Sequence, residues 1–125
     1  MAVRVLIVDD HEDVRFLIRA IIEDAAENVV VVGEADGVRA ALESIDALDP
    51  DVVVLDAVMP VVSGIEAAPM ILARRPGQKI LLCSALVDDE VREKADQAGI
   101  TDCVSKDDME AIPGIAFRLA RDSGP

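Results

Sequence analysis

Tryptophan and tyrosine are absent, and Phe16 and Phe117 are the only aromatic residues besides one histidine. A flavin needs a flat aromatic face to stack on, and this composition offers almost none. Cations are scarce as well. Twelve lysines and arginines stand against 25 aspartates and glutamates, leaving a formal charge of −13. That field repels phosphate backbones and anionic membrane surfaces, which argues against direct nucleic-acid or membrane binding by this segment. It suits a partner with a basic face or a bound cation, although many of the acids serve only to keep an apolar chain in water. Cys83 and Cys103 are too few for a disulfide scaffold and lack metal-site spacing. No apolar run approaches the roughly 20 residues of a membrane span. The N-terminus has neither a basic leader nor a small-residue cleavage site, so a cytoplasmic protein is expected.

What is present is a regular alternation within one domain-sized chain of 125 residues. Val3–Val8, Val29–Val32, Val52–Leu55, Ile80–Leu82 and Thr101–Val104 are short apolar runs of strand length, with Gly33 taken as the end of the second. Between them lie helical stripes. The first is Val14, Leu17, Ile18, Ile21, Ile22 and Ala25; the second is Val38, Ala41, Leu42 and Ile45, closed by Asp49–Pro50. Ser63 and Glu66 form a capping box for the third, in which Pro69 is expected to kink or delay the helix. Val91, Ala95 and Ala98 mark the fourth, ended by Gly99, and Ile112, Ile115, Ala116, Leu119 and Ala120 mark the fifth. Strands that are apolar throughout must be covered on both faces. The fold class is therefore α/β, a doubly wound parallel sheet of five strands. Residues 1–121 form the domain, and 122–125 read as a tail or the start of a linker.

In such a sheet ligands bind outside the carboxyl ends of the strands. The polar residues there are Asp9 and Asp10 after the first strand, Asp56 ending the third, Ser84 after the fourth and Lys106 after the fifth; Gly33–Glu34 after the second adds nothing evident. In strand order 2-1-3-4-5 the three aspartates converge. Two carboxylates about 5 Å apart repel by roughly 3 kcal/mol at an effective dielectric near 20. Lys106 supplies one positive charge, too little for three acids, so the cluster calls for a cation. All-oxygen ligation with room for water selects Mg²⁺. Taken singly each residue has a structural use. Asp9, Asp10 or Asp13 can cap the first helix, and Asp56 can sit in the turn before Met59–Pro60.

Residues 5–11 (Val-Leu-Ile-Val-Asp-Asp-His), residues 50–60 (Pro-Asp-Val-Val-Val-Leu-Asp-Ala-Val-Met-Pro), Gly64, Ser84-Ala85 and Lys106 stand in order and at fixed spacing. With them the chain resembles, over nearly its whole length, the receiver domain of two-component response regulators, the CheY-like variety of the flavodoxin-like fold. His11, Val31–Gly37 and Lys106-Asp107 are most similar to receivers of LuxR/NarL-type regulators. The resemblance implies that Asp56 accepts a phosphoryl group from the phosphohistidine of a sensor histidine kinase. It further implies that Asp10 and Asp56 bind Mg²⁺ directly, Asp9 through water, and the Val58 carbonyl as another ligand. Ser84 and Lys106 would bond phosphoryl oxygens. The segment Asp88–Arg121 would face an output domain, an effector or a second copy in a homodimer.

An enzyme in the usual sense is not expected, only a domain that catalyses its own phosphorylation and dephosphorylation. The aromatic residue usual three positions before the lysine is here Cys103. Cys83 and Cys103 fall on adjacent strands, where a redox link is conceivable, but the expected state of both is a buried, inert thiol. Apolar Val58 and Leu86, two residues past Asp56 and Ser84, imply slow loss of the phosphoryl group. His11 is expected to be an exposed residue at the start of the first helix. Three other readings compare as follows. A flavin module lacks its hydroxyl- and glycine-rich loop after the first strand. An aspartyl phosphatase places its nucleophile after the first strand and needs a cap domain. A receiver-like interaction domain that works without phosphorylation would lack an acid or the lysine, and none is missing.

Overall fold

The computed structural model describes residues 1–122; the remainder of the expected tail, 123–125, lies outside the described residues. Five strands, β1 (Val3–Val8), β2 (Val29–Ala35), β3 (Val52–Asp56), β4 (Lys79–Ser84) and β5 (Asp102–Ser105), pair in parallel in the order 2-1-3-4-5. Five α-helices cover them: α1 (Glu12–Asp24), α2 (Val38–Leu48), α3 (Gly64–Arg74), α4 (Asp89–Gln97) and α5 (Ile112–Arg121).

The pleat sorts the apolar strand residues into two cores. Val5, Ile7, Val52, Val54, Leu81 and Val104 pack with Ile18 and Ile22 of α1 and with Ile112, Ala116 and Leu119 of α5. Leu6, Val8, Val53, Leu55, Ile80 and Leu82 pack with Ala41 and Ile45 of α2, Ala67 and Ile71 of α3 and Ala95 of α4. Burying one such aliphatic side chain contributes about 1.5–3 kcal/mol, so the sheet is held from both faces.

Several local expectations change. β2 does not stop at Gly33 but runs to Ala35, because a bulge after Val31 resets its pairing with β1. As an edge strand β2 is also less covered than expected, with Val30 exposed. Gly33 is an interior packing position, where an added Cβ would stand 2.7 Å from Leu48 Cδ1. α3 begins at its Ser63–Glu66 capping box and runs unbroken to Arg74. Pro69 neither delays nor ends it: the ring lies on an exposed position, and only the bond to the Ile65 carbonyl is forfeited. Gly99, at φ 85°, ends α4 in a Schellman motif, with Gly99 N–H on the Asp96 carbonyl and Ile100 N–H on that of Ala95. β5 starts one residue later than expected, and a 3₁₀ turn at Lys106–Ala111 leads into α5. No helix among the described residues is long and apolar enough to cross a membrane.

Candidate functional site

The parallel order brings the ends of β1 and β3 side by side, with Val8 opposite Leu55 in register. Asp9 and Asp10 follow the one, and Asp56 ends the other. Carboxylate oxygens of Asp9, Asp10 and Asp56 and a ring nitrogen of His11 all lie within 4.8 Å of one another. Asp9 and Asp56 are each 2% exposed. Lys106 reaches across from the end of β5, its Nζ 2.9 Å from Asp56 Oδ1, and the Val58 N–H points to the same oxygen at 3.4 Å.

Charge is crowded here and only partly answered. Asp56 Oδ2 and Asp10 Oδ1 are buried without a hydrogen bond, although His11 Nδ1 lies 3.2 Å from Asp10 Oδ1. Burial raises the Asp56 pKa, the charge of Asp9 adds to the rise, and Lys106 opposes it without bringing the carboxyl back to its ordinary range. For Lys106, burial lowers the pKa, but the bond to Asp56 and the charges of Asp56 and Asp9 outweigh it and hold the ammonium above its ordinary value. Orphaned, buried, all-oxygen donors at one open strand edge are what a hard divalent cation fits, so the donor set passes the test for such an ion.

None of the aspartates caps α1, contrary to expectation. The N-cap is His11, whose side chain caps nothing. Asp9 is turned inward instead, and its Oδ1 accepts the His11 N–H at 2.8 Å. His11 is exposed as expected, yet its Nδ1 also lies 3.1 Å from Asp9 Oδ1, a contact that its position in the sequence did not announce. Ser84 ends β4 beside Asp56. Its hydroxyl is engaged in its own loop, donating to the Leu86 carbonyl at 2.8 Å. The Val58 and Leu86 side chains are exposed.

Val61 in the β3–α3 loop and Gly64 at the start of α3 carry backbone constraints that the sequence pattern does not announce. Gly64 lies against the end of β3, where a Cβ would fall 2.2 Å from the Asp56 backbone carbonyl oxygen. Val61, fully exposed, holds φ at 71°, an unfavourable region for a β-branched residue. The two cysteines prove to be on opposite faces of the sheet. Cys83 faces the α1/α5 core and Cys103 the α2/α3/α4 core, so the pleat removes the conceivable link between them. Burial pushes the Cys83 thiol up to about 11 and also raises that of Cys103.

Residues 5–114 match the response regulator receiver domain family. The chain belongs to that family. It is 38% identical over 106 residues to the chemotaxis protein CheY of Halobacterium salinarum, covering 85% of this chain and 86% of that one. It is 35% identical over 127 residues to the transcriptional regulatory protein LiaR of Bacillus subtilis, covering 98% of this chain but 58% of LiaR. Among solved structures, the signal receiver domain of the response regulator NarL from Mycobacterium tuberculosis superposes with a TM-score of 0.87 at 33% identity, covering 97% and 98% of the two chains. The receiver is thus CheY-like, with LuxR/NarL-type receivers among its structural neighbours, and it is consistent with phosphorylation-dependent signalling.

Proposed function

We propose that this receiver is a signalling switch in which Asp56 accepts a phosphoryl group from the phosphohistidine of a sensor histidine kinase. One observation carries the reading: Asp56 is buried beside two other acids, with Oδ1 held by Lys106 and Oδ2 without a partner. Oδ2 attacks the phosphorus as the bond to the donor imidazole breaks. Lys106 then faces the charge spread over the phosphoryl oxygens, and Ser84, released from the Leu86 carbonyl, bonds one of them. Asp10 and Asp56 would hold Mg²⁺ directly, Asp9 through water, and the Val58 carbonyl would add a ligand. The ion supplies positive charge beside the transferring group.

The new dianionic group draws the Ser84–Val87 loop inward and biases the surface Asp88–Arg121, which meets an output domain, an effector or a second copy. With Cys103 in place of an aromatic side chain, that shift proceeds without an aromatic relay. Residues 1–121 act as the switch, in the cytoplasm, and 122–125 are a tail or the start of a linker. Exposed Val58 and Leu86 keep the attacking water poorly held, so the phosphoryl group is lost slowly; a half-life of seconds at neutral pH would contradict this.

Intact-mass measurement after incubation with Mg²⁺ and a small phosphodonor tests the reading. The expected result is a gain of one phosphoryl group that Asp56→Asn abolishes. No gain, together with no Mg²⁺ binding, would instead favour an interaction domain that works without phosphorylation.

A further inference from the structure

An ion-pair chain on the α1 face ties the acidic loop to the edge strand, and the proposed function makes no use of it. Arg15, in the first turns of α1, donates from Nη1 to the backbone carbonyl of Asp9 at 2.7 Å and from Nε to Glu34 Oε1 at 3.0 Å. The other oxygen of Glu34 accepts from Arg19 Nε at 2.8 Å. One carboxylate therefore holds two guanidinium groups, and one of those holds the peptide between Asp9 and Asp10.

That peptide is the part of the backbone from which the Asp10 side chain departs. Its plane is rigid, so fixing the Asp9 oxygen also fixes the direction of the Asp10 N–H and Cα. Asp9 is secured at its other end too, where its N–H donates to the Ala35 carbonyl at 3.0 Å. Asp10, by contrast, has a buried oxygen without a hydrogen bond, 3.2 Å from His11 Nδ1 and among like charges. Like charge among Asp9, Asp10 and Asp56 favours opening of the loop, and the Arg15 bond to the Asp9 carbonyl opposes it.

The bulge in β2 is what makes this brace available. Val5 pairs with Val31 and Leu6 with Gly33, so Val32 is the extra residue. Regular alternation from Val31 would pair Glu34 with Val8, on the α2 side. The bulge pairs it with Ile7, which faces α1. Burial alone would raise the Glu34 pKa, and the bonds and charges of Arg19 and Arg15 bring it below its ordinary range, as expected for a carboxylate charged in this role.

We infer that Arg15, braced by Glu34, is a positioning residue that sets the orientation of the Asp9–Asp10 pair for cation binding. The inference rests on the reading of the acid cluster as a Mg²⁺ site. Its first readout nevertheless needs no metal: amide resonances of the ¹⁵N-labelled, metal-free protein. Arg15→Met should shift the Asp10 and His11 amides and speed their hydrogen exchange. By calorimetric titration it should weaken Mg²⁺ binding by about 10-fold, the scale on which metal sites respond to loss of an outer partner. Arg15→Lys, which keeps the charge but cannot bond both groups through a planar fork, should behave like Arg15→Met. Glu34→Gln should fall between these and wild type, and combining it with Arg15→Met should add little. Arg74→Met, which removes the ion pair with Asp46 at a distant surface, should leave Mg²⁺ affinity and both amides unchanged.

Unshifted Asp10 and His11 amides in both Arg15 variants would overturn the inference, as would full recovery by lysine or an equal effect from Arg74→Met. If the wild type itself binds no Mg²⁺, it is the proposed function that fails, and the metal-free amides still decide the role of Arg15.

Discussion

The two edges of the sheet treat acidic residues in opposite ways. At the amino edge of β3 and β4, Asp46 pairs with Arg74 and Asp49 with Arg75, and Asp51 accepts the Arg4 N–H at 2.9 Å. The Arg4 guanidinium closes the end of α2 by donating to the Leu48 and Asp49 carbonyls. At the carboxyl edge Lys106 pairs with Asp56 and the His11 ring lies against Asp9 and Asp10, yet two buried carboxylate oxygens have no hydrogen bond. In a chain of 25 acids and 12 bases Asp46 and Asp49 each have an arginine of their own, whereas of the three carboxyl-edge aspartates only Asp56 pairs with a lysine or arginine side chain among the described residues. Charge left uncompensated inside a fold is costly, and the acidic pocket where it persists is one that could bind a metal ion.

The contrast between the two edges is largest at a pair of glycines. Gly64→Ala puts a methyl group into the Asp56 carbonyl and should destabilise the protein by about 3 kcal/mol, while Gly77→Ala at the amino edge meets nothing within 4 Å and should change stability by less than about 1 kcal/mol. Urea unfolding of the two variants checks this, and equal losses would refute it. Next in size is Asp10→Asn. Removing one of the crowded charges should raise metal-free stability by about 1–2 kcal/mol, and added Mg²⁺ should stabilise wild type but not the variant. A metal-free Asp10→Asn protein weaker than wild type would mean that the acids do not strain the fold.

The pH dependence is subtler. Because the folded Asp56 carboxyl titrates above its ordinary 3.8, the stability it contributes is fully present below 3.8 and is lost as pH rises through the raised value. Glu34, held below its ordinary 4.5, has the opposite sign: its contribution is present above 4.5 and is lost as pH falls through the lowered value. In metal-free protein, Asp56→Asn should therefore flatten the decline of stability as pH rises above 3.8. Identical slopes for wild type and variant would exclude an elevated Asp56 pKa. The smallest effect belongs to the amino edge. Arg75→Ala removes a solvent-exposed ion pair and should change stability by less than about 1 kcal/mol, with Mg²⁺ binding and phosphoryl gain untouched.

Much of this arrangement is legible without coordinates, because it depends on period and order. Apolar runs, helical stripes, the capping box at Ser63 and the stop at Gly99 are local signals, and the strand-end positions of Asp9, Asp10, Asp56, Ser84 and Lys106 follow from them. The bulge in β2 is different. Four consecutive valines look alike on either face, so the sequence cannot tell which one is extra, and Glu34 reads as idle until the register turns it toward Arg15. That His11 touches Asp9, and that none of Asp9, Asp10 and Asp13 caps α1, are hidden for the same reason: both depend on where the backbone leaves β1.

The sequence alone determined the fold class, the strand order through its family resemblance, and the residues that gather at the carboxyl edge. Each of those rests on spacing along one chain. Which carboxylate oxygens go without a hydrogen bond, that Cys83 and Cys103 lie in separate cores, and that Glu34 reaches the acidic loop through Arg15 emerge only in three dimensions. These are relations between strands, set by register and pleat, and a one-residue shift in pairing would reverse them while leaving every local pattern intact.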